Sequence, residues 1–182
     1  MPPSPISRLP LPSTWFTWHD FLITEGARVL DLACGEGRHS IRAALRGAHV
    51  VAVDKDETKL DAGRDFARTE GVEIDWRAVD LESAWPELGV FDAVLVFNYL
   101  DRVRMSRILE SVAPGGVLIM ETFLTVQRTF GWGPTSDDHL LKPGELHRLA
   151  STLDIVHGRE VVEPVDTDRW RAVAGIVAER RK

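Results

Sequence analysis

Ala27-Arg28-Val29-Leu30-Asp31-Leu32-Ala33-Cys34-Gly35-Glu36-Gly37-Arg38-His39-Ser40 is the stretch that decides the fold. The apolar run from Val29 to Cys34 is too short, and too closely flanked by glycine, for a helix; it reads as a buried strand. Gly35 and Gly37 carry no Cβ, so the backbone there can turn sharply and approach a ligand closely. The helix expected after them offers unpaired N–H groups and its positive dipole end to whatever binds. Strand, glycine loop and helix in this order make a nucleotide-type site at the carboxyl end of a strand.

Two carboxylates narrow the ligand. Asp31 ends the strand and Glu36 lies in the loop, where both would repel the pyrophosphate of a dinucleotide. They suit a ligand with positive charge, such as S-adenosylmethionine, which has a sulfonium, an ammonium and one carboxylate. Val29-Leu30-Asp31-Leu32-Ala33-Cys34-Gly35-Glu36-Gly37 resembles the first motif of class I S-adenosylmethionine-dependent methyltransferases. That motif usually has glycine where Ala33 stands. The resemblance implies cofactor contacts at Asp31, Ala33, Cys34, Gly35 and Gly37. Within the family the chain is most similar to the compact tellurite-resistance and thiopurine-type small-molecule enzymes.

The 182 residues suit one domain with a real core. A net charge of -6 weakens a nucleic-acid reading, because phosphate binding needs a basic surface. One cysteine permits no internal disulfide, which points to a reducing, cytoplasmic setting. No apolar run approaches the roughly twenty residues that span a membrane, and the N-terminus lacks a signal-peptide pattern. No metal-ligand cluster stands out.

Met1 to Pro12 holds five prolines and is expected to be extended or disordered. Residues 13–182 then form the single domain. Ser13 or Thr14 can cap a helix from Trp15 to Ile23, rich in aromatics. It packs on the sheet or, as the resemblance suggests for Pro12-Ser13-Thr14-Trp15, forms a lid bordering the site. A helix from Arg38 to Arg46 ends at Gly47. The second strand, His49 to Val53, leads to Asp54 and Lys55. Asp54 lies some twenty residues past the glycine loop, where a carboxylate can accept from both ribose hydroxyls or simply cap the next helix. That helix runs from Asp56 to Thr69. Glu73 to Val79 is the third strand; Asp80 and Leu81 after it match the family's adenine contacts, although a turn residue is common there too.

Phe91 to Phe97 is the fourth strand, nearly all apolar as a central parallel strand should be. The resemblance turns the next loop, Phe97-Asn98-Tyr99, toward the methionine end of the cofactor. A helix from Arg102 to Val112 follows, capped by Asp101, with Ala113-Pro114-Gly115-Gly116 as helix stop and tight turn. The fifth strand is Val117 to Thr122. Leu124 to Lys142 reads as a long irregular loop, functional or disordered, and orders as a lid when the site fills. Gly144 to Ser151 is a short helix, Asp154 to Pro164 an edge strand, and Trp170 to Ala178 a buried strand. The fold class is α/β. The resemblance completes it as a Rossmann-like, seven-stranded, mostly parallel sheet with helices on both faces and an antiparallel last strand.

Methyl transfer from a sulfonium is an in-line displacement, so the protein mainly positions the reactants and removes a proton where needed. Tyr99, Glu121 and His139 are the catalytic candidates, with Arg102 and Arg128 for an anionic substrate; each has an ordinary surface or ion-pair role as its alternative. Cys34 is a packing residue rather than a nucleophile. The expected partner is a small-molecule acceptor, soft, thiol-like or oxyanionic, with neither nucleic acid nor membrane, for a monomer or homodimer. The competing readings are a non-catalytic module that keeps the S-adenosylmethionine pocket and a nicotinamide-dependent oxidoreductase. Ser40 stands where the third glycine of the latter's fingerprint would lie. A nucleic-acid methyltransferase is a further alternative, but Asn98-Tyr99-Leu100-Asp101 replaces its Asn-Pro-Pro-Tyr-type motif.

Overall fold

The computed structural model describes residues 11–182; the expectation for the first ten lies outside them. Seven strands form one sheet in the order β3-β2-β1-β4-β5-β7-β6. They are β1 (Arg28–Leu32), β2 (His49–Asp54), β3 (Ile74–Ala78), β4 (Phe91–Phe97), β5 (Val112–Phe123), β6 (Asp154–Pro164) and β7 (Trp170–Glu179). The first five are parallel to one another. β7 is antiparallel to both β5 and β6. Among the described residues the α-helices are α1 (Thr14–His19), α2 (Arg38–Leu45), α3 (Glu57–Glu70), α4 (Met105–Glu110) and α5 (Glu145–Leu149). The strand order reverses between β1 and β4, so their carboxyl ends open a crevice for a ligand.

Alternation along the strands feeds two cores. Leu30, Leu32, Val94, Val96, Leu118 and Met120 pack on one face with Ile108 and Leu146. Val29, Leu95, Phe97 and Ile119 pack on the other with Trp15 and Phe16 of α1. Trp15 and Phe16 of α1 are therefore core, while Trp18 and Phe21 stay exposed, and the helix is packed on the sheet as expected. Ser13 caps it, accepting from the Phe16 N–H at 3.0 Å. Asp56 caps α3 by accepting from the Lys59 N–H.

The structure departs from the sequence reading around β5. The expected helix over 102–112 is confined to Met105–Glu110. Asp101 accepts from the Arg104 N–H at 3.0 Å and pairs with its guanidinium at 2.9 Å, so the chain turns before the helix begins. Ala113-Pro114-Gly115-Gly116 is no helix stop: it belongs to β5. Register jumps there from Phe91–Val112 to Ala93–Val117, two positions along β4 against five along β5. Gly116 makes the bulge possible, since a Cβ would sit 2.9 Å from the Phe91 and Asp92 carbonyl oxygens.

Candidate active site

The loop after β1 is built by three local devices. Ala33 takes φ +54, a left-handed conformation that costs an L-residue energy and explains why glycine is usual there. The Cys34 N–H donates to the Val53 carbonyl at 3.0 Å, and the Gly35 N–H to Asp54 Oδ2 at 2.7 Å. Gly37, at φ +75, lies so close to the Trp76 ring that a Cβ would come within 2.2 Å of it. The loop is thus fastened to β2 on one side and packed on an indole from β3 on the other.

Above it opens a cavity of about 710 Å³, within the size range of small-ligand sites. Ala33, Cys34, Gly35 and Glu36 line its β1 end, Asp54, Lys55 and Lys59 its β2 side, and Val79, Asp80, Leu81 and Glu82 its β3 side. Phe97, Asn98, Tyr99 and Leu100 line it from β4, with Phe123, Pro134 and His139 at the outer rim. The structure thus gathers Ala33, Cys34, Gly35, Asp54, Lys55, Asp80, Leu81, Phe97, Asn98, Tyr99 and His139 around one space. Asn98 has φ +55, which asparagine tolerates well.

Three expected site residues lie elsewhere. Asp31 is fully buried, with Ser40 Oγ donating to its Oδ2 at 2.5 Å. Burial pushes its carboxyl up to about 7, against the pull of Ser40. Gly37 serves the loop's packing rather than the cavity wall. Glu121, named for catalysis, is 1% exposed and does not line the cavity. Its Oε2 accepts from Arg159 at 2.6 Å, Arg171 lies 3.3 Å from its Oε1, and both arginines also pair with Glu163. The strand-end carboxylate is tied into an ion cluster between β5, β6 and β7.

Other candidates are already engaged. The Tyr99 hydroxyl donates to Asp101 Oδ2 at 3.2 Å, and burial with that neighbouring carboxylate holds it well above the usual phenol range. It is a donor at neutral pH, not a base. Burial likewise pushes the Cys34 thiol far up, so Cys34 is inert packing beside the site. Arg102 spends its guanidinium on both Glu145 oxygens and on the carbonyls of Asp137, Asp138 and Leu140. Arg128 pairs with Asp137 and donates to the Thr135 carbonyl at 2.8 Å. These bonds order the segment expected to be irregular: it forms 3₁₀ turns at Thr125–Phe130 and Asp137–His139 and a bridge between Leu124 and Leu141.

Sequence reasoning missed Arg38 and His39, which line the cavity from the first turn of α2. His39 is buried, stacked on Phe97 at 3.9 Å between ring centroids, and its Nε2 accepts from the Ser13 N–H at 3.1 Å. Burial holds it well below the usual imidazole range, so it is neutral. Through Ser13 it fastens the start of α1 to the cavity. Their position just after the glycine loop was the available signal, since first-turn side chains border whatever that loop holds.

The residues present fit S-adenosylmethionine. Asp54 keeps free lone pairs for ribose hydroxyls after accepting from Gly35 and Asp56. Among the described residues nothing accepts from the Leu81 N–H, which leaves it for an adenine nitrogen. No atom lies within 4 Å of a Cβ built at Gly35. Ser40, by contrast, is spent on Asp31 and leaves the dinucleotide fingerprint unfilled.

Comparison with known proteins agrees. Residues 29–116 match the family described as "Methyltransferase domain". The ubiquinone biosynthesis O-methyltransferase of Agrobacterium fabrum is 31% identical over 167 residues, covering 80% of this chain and 67% of the relative. The chain belongs to the S-adenosylmethionine-dependent methyltransferases. The enzyme of the same name from Chelativorans is 27% identical, with 86% of this chain and 61% of the relative covered. The chain therefore spans about three fifths to two thirds of the length of these relatives. TehB from Haemophilus influenzae shares the methyltransferase fold with a TM-score of 0.73 at 19% identity, over 86% of this chain and 58% of TehB. The cofactor of this methyltransferase family is S-adenosylmethionine. Among the described residues, no helix is long and apolar enough to cross a membrane.

Proposed function

We propose that this chain transfers the methyl group of S-adenosylmethionine to an oxygen of a small-molecule acceptor. The observation that carries the reading is the division of the cavity. Its β1–β2–β3 side presents Asp54, Asp80 and the Leu81 N–H to an adenosine, and its β4–β5 side presents Phe97, Tyr99, Phe123, Pro134 and His139 to a flat, largely apolar acceptor. The cofactor, when bound, supplies an electrophilic methyl on sulfur. The chain's own residues exclude water and orient the acceptor. His139 lines the cavity on this side, and its imidazole is the candidate to take the proton of an acceptor hydroxyl. The choice of oxygen rests on the curated relatives, whose names are those of O-methyltransferases.

The test is calorimetric titration with S-adenosylmethionine and, separately, a reduced nicotinamide cofactor. Mass spectrometry then follows a panel of phenols, thiols and oxyanions incubated with protein and cofactor. Selective S-adenosylmethionine binding and a 14-dalton gain on a phenol are expected. Binding without transfer to any acceptor favours the non-catalytic module, and methylated thiols in place of phenols would refute the oxygen assignment.

A further inference from the structure

Gly63 stands in the middle of α3, where glycine is unfavourable relative to alanine. No positive φ requires it there. Space does: a Cβ at Gly63 would come within 2.6 Å of the Trp76 ring and 2.9 Å of the Glu36 carbonyl oxygen. The same edge of the indole lies closest to Gly37, where a Cβ would come within 2.2 Å of it. One ring is thus clasped by two glycines from separate elements, the loop after β1 and the helix α3. Trp76 reaches this place half-buried from β3, at the edge of the sheet, and packs beside Cys34 and Leu60. Neither Gly63 nor Trp76 lines the cavity, but Lys59, one helical turn before Gly63, does.

We propose that Gly63 and Trp76 are positioning residues for the cofactor: together they form a seat that fixes the height of the Glu36–Gly37 backbone, and with it the loop that faces the ligand. The proposal rests on the methyl-transfer reading and deepens it. The two contacts are unequal. The indole is the far end of a side chain on an edge strand and can swing aside. The Glu36 carbonyl belongs to the backbone and yields only if the loop or α3 moves. The loop also carries Gly35, whose N–H donates to Asp54 at 2.7 Å, so a displaced loop disturbs the Asp54 carboxylate as well. A misplacement of about 1 Å is enough to cost binding although no residue of the cavity wall has changed.

Calorimetry with S-adenosylhomocysteine and amide exchange are compared in wild type, Gly63→Ala, Trp76→Phe and the double variant, with urea unfolding to show that each is folded under the assay conditions. Stability does not enter the dissociation constant of a folded protein, so a purely structural role would leave that constant unmoved. Gly63→Ala should weaken binding by about tenfold or more. It should also speed exchange of the Cys34, Gly35 and Gly37 N–H groups, which now donate to Val53, Asp54 and Cys34. In the double variant the shorter phenyl ring leaves room for the added methyl, so the loss of affinity should be smaller than the product of the two single losses. Thr69→Ala, exposed on the outer face of the same helix, should change neither affinity nor exchange. Wild-type affinity in Gly63→Ala, wild-type exchange in its loop, or single losses that simply multiply overturns the proposal. Should Gly63→Ala fail to fold, Trp76→Phe decides by the same two measurements, weaker binding with faster loop exchange being expected. A wild type that binds no S-adenosylhomocysteine refutes the methyl-transfer reading instead, and the exchange rates then decide whether the seat holds the loop.

Discussion

Replacing Asp31 by asparagine should make the protein more stable as the pH rises. Asp31 is fully buried under the glycine loop, and burial pushes its carboxyl from 3.8 up to about 7. Below about pH 4 the group is neutral in both folded and unfolded chains and contributes nothing. Between that value and 7 the unfolded chain releases a proton that the folded one retains. Wild-type stability therefore falls by up to about 1.4 kcal/mol per pH unit over this range. Above 7 both states are ionised and the penalty is constant. The ceiling is about 4 kcal/mol; relaxation around a buried carboxylate brings the expected effect to about 2–3 kcal/mol. Asparagine never ionises, and its amide oxygen can still accept from Ser40 Oγ. Urea unfolding followed by ellipticity at pH 4, 5.5, 7 and 8.5 gives the difference between variant and wild type, in which all other titrations cancel. The difference should grow in favour of Asp31→Asn from pH 4 to 7 and level off beyond it. A difference that stays constant with pH, or grows in the opposite sense, refutes the reasoning.

Asp54→Ala should weaken S-adenosylmethionine binding by about 1–3 kcal/mol, through lost ribose bonds and a loop freed at Gly35; unchanged affinity by calorimetry would remove Asp54 from the site. Ala33→Gly should raise stability by roughly 0.5–1 kcal/mol by relieving φ +54, and a lower Tm would show that the methyl group's packing outweighs the strain. Arg102→Ala should speed amide exchange across residues 125–140 by about tenfold or more, and equal rates would show that other contacts hold the segment. The Arg102 hydrogen bond depresses Glu145 from 4.5 to about 2, so its contribution is full above pH 4.5 and lost as pH falls toward 2. The stability gap between wild type and Glu145→Gln should close over that window in urea unfolding.

The strand–loop–helix frame was legible because local chemistry alone dictates it. Glycines stand where φ is positive, apolar runs fill strands buried on both faces, and Asp54 and Asp80 follow strands whose ends meet. Glu121 was misplaced because its partners, Arg159 and Arg171, are far along the chain and reach it only once β5, β6 and β7 pair. The bulge at Gly115-Gly116 carries the same residues as a tight turn; what separates them is the Gly115 N–H donation to the Arg180 carbonyl, a contact made near the chain's end. Tyr99 and Arg102 have the right residue types at the right edge of the site, but types alone do not reveal that neighbouring acids already hold them. His39 was hidden for the opposite reason: an imidazole stacked on Phe97 and kept neutral has no sequence signature beyond its place.

The Arg102 cluster has a kinetic meaning. One guanidinium joins the last residues of the 124–142 segment to α5, with each of its three nitrogens donating and four residues accepting. On the methyl-transfer reading, the stretch around His139 is therefore expected to move as one body rather than fray residue by residue, and the release of a methylated product to follow the lifetime of this one ion-paired cluster.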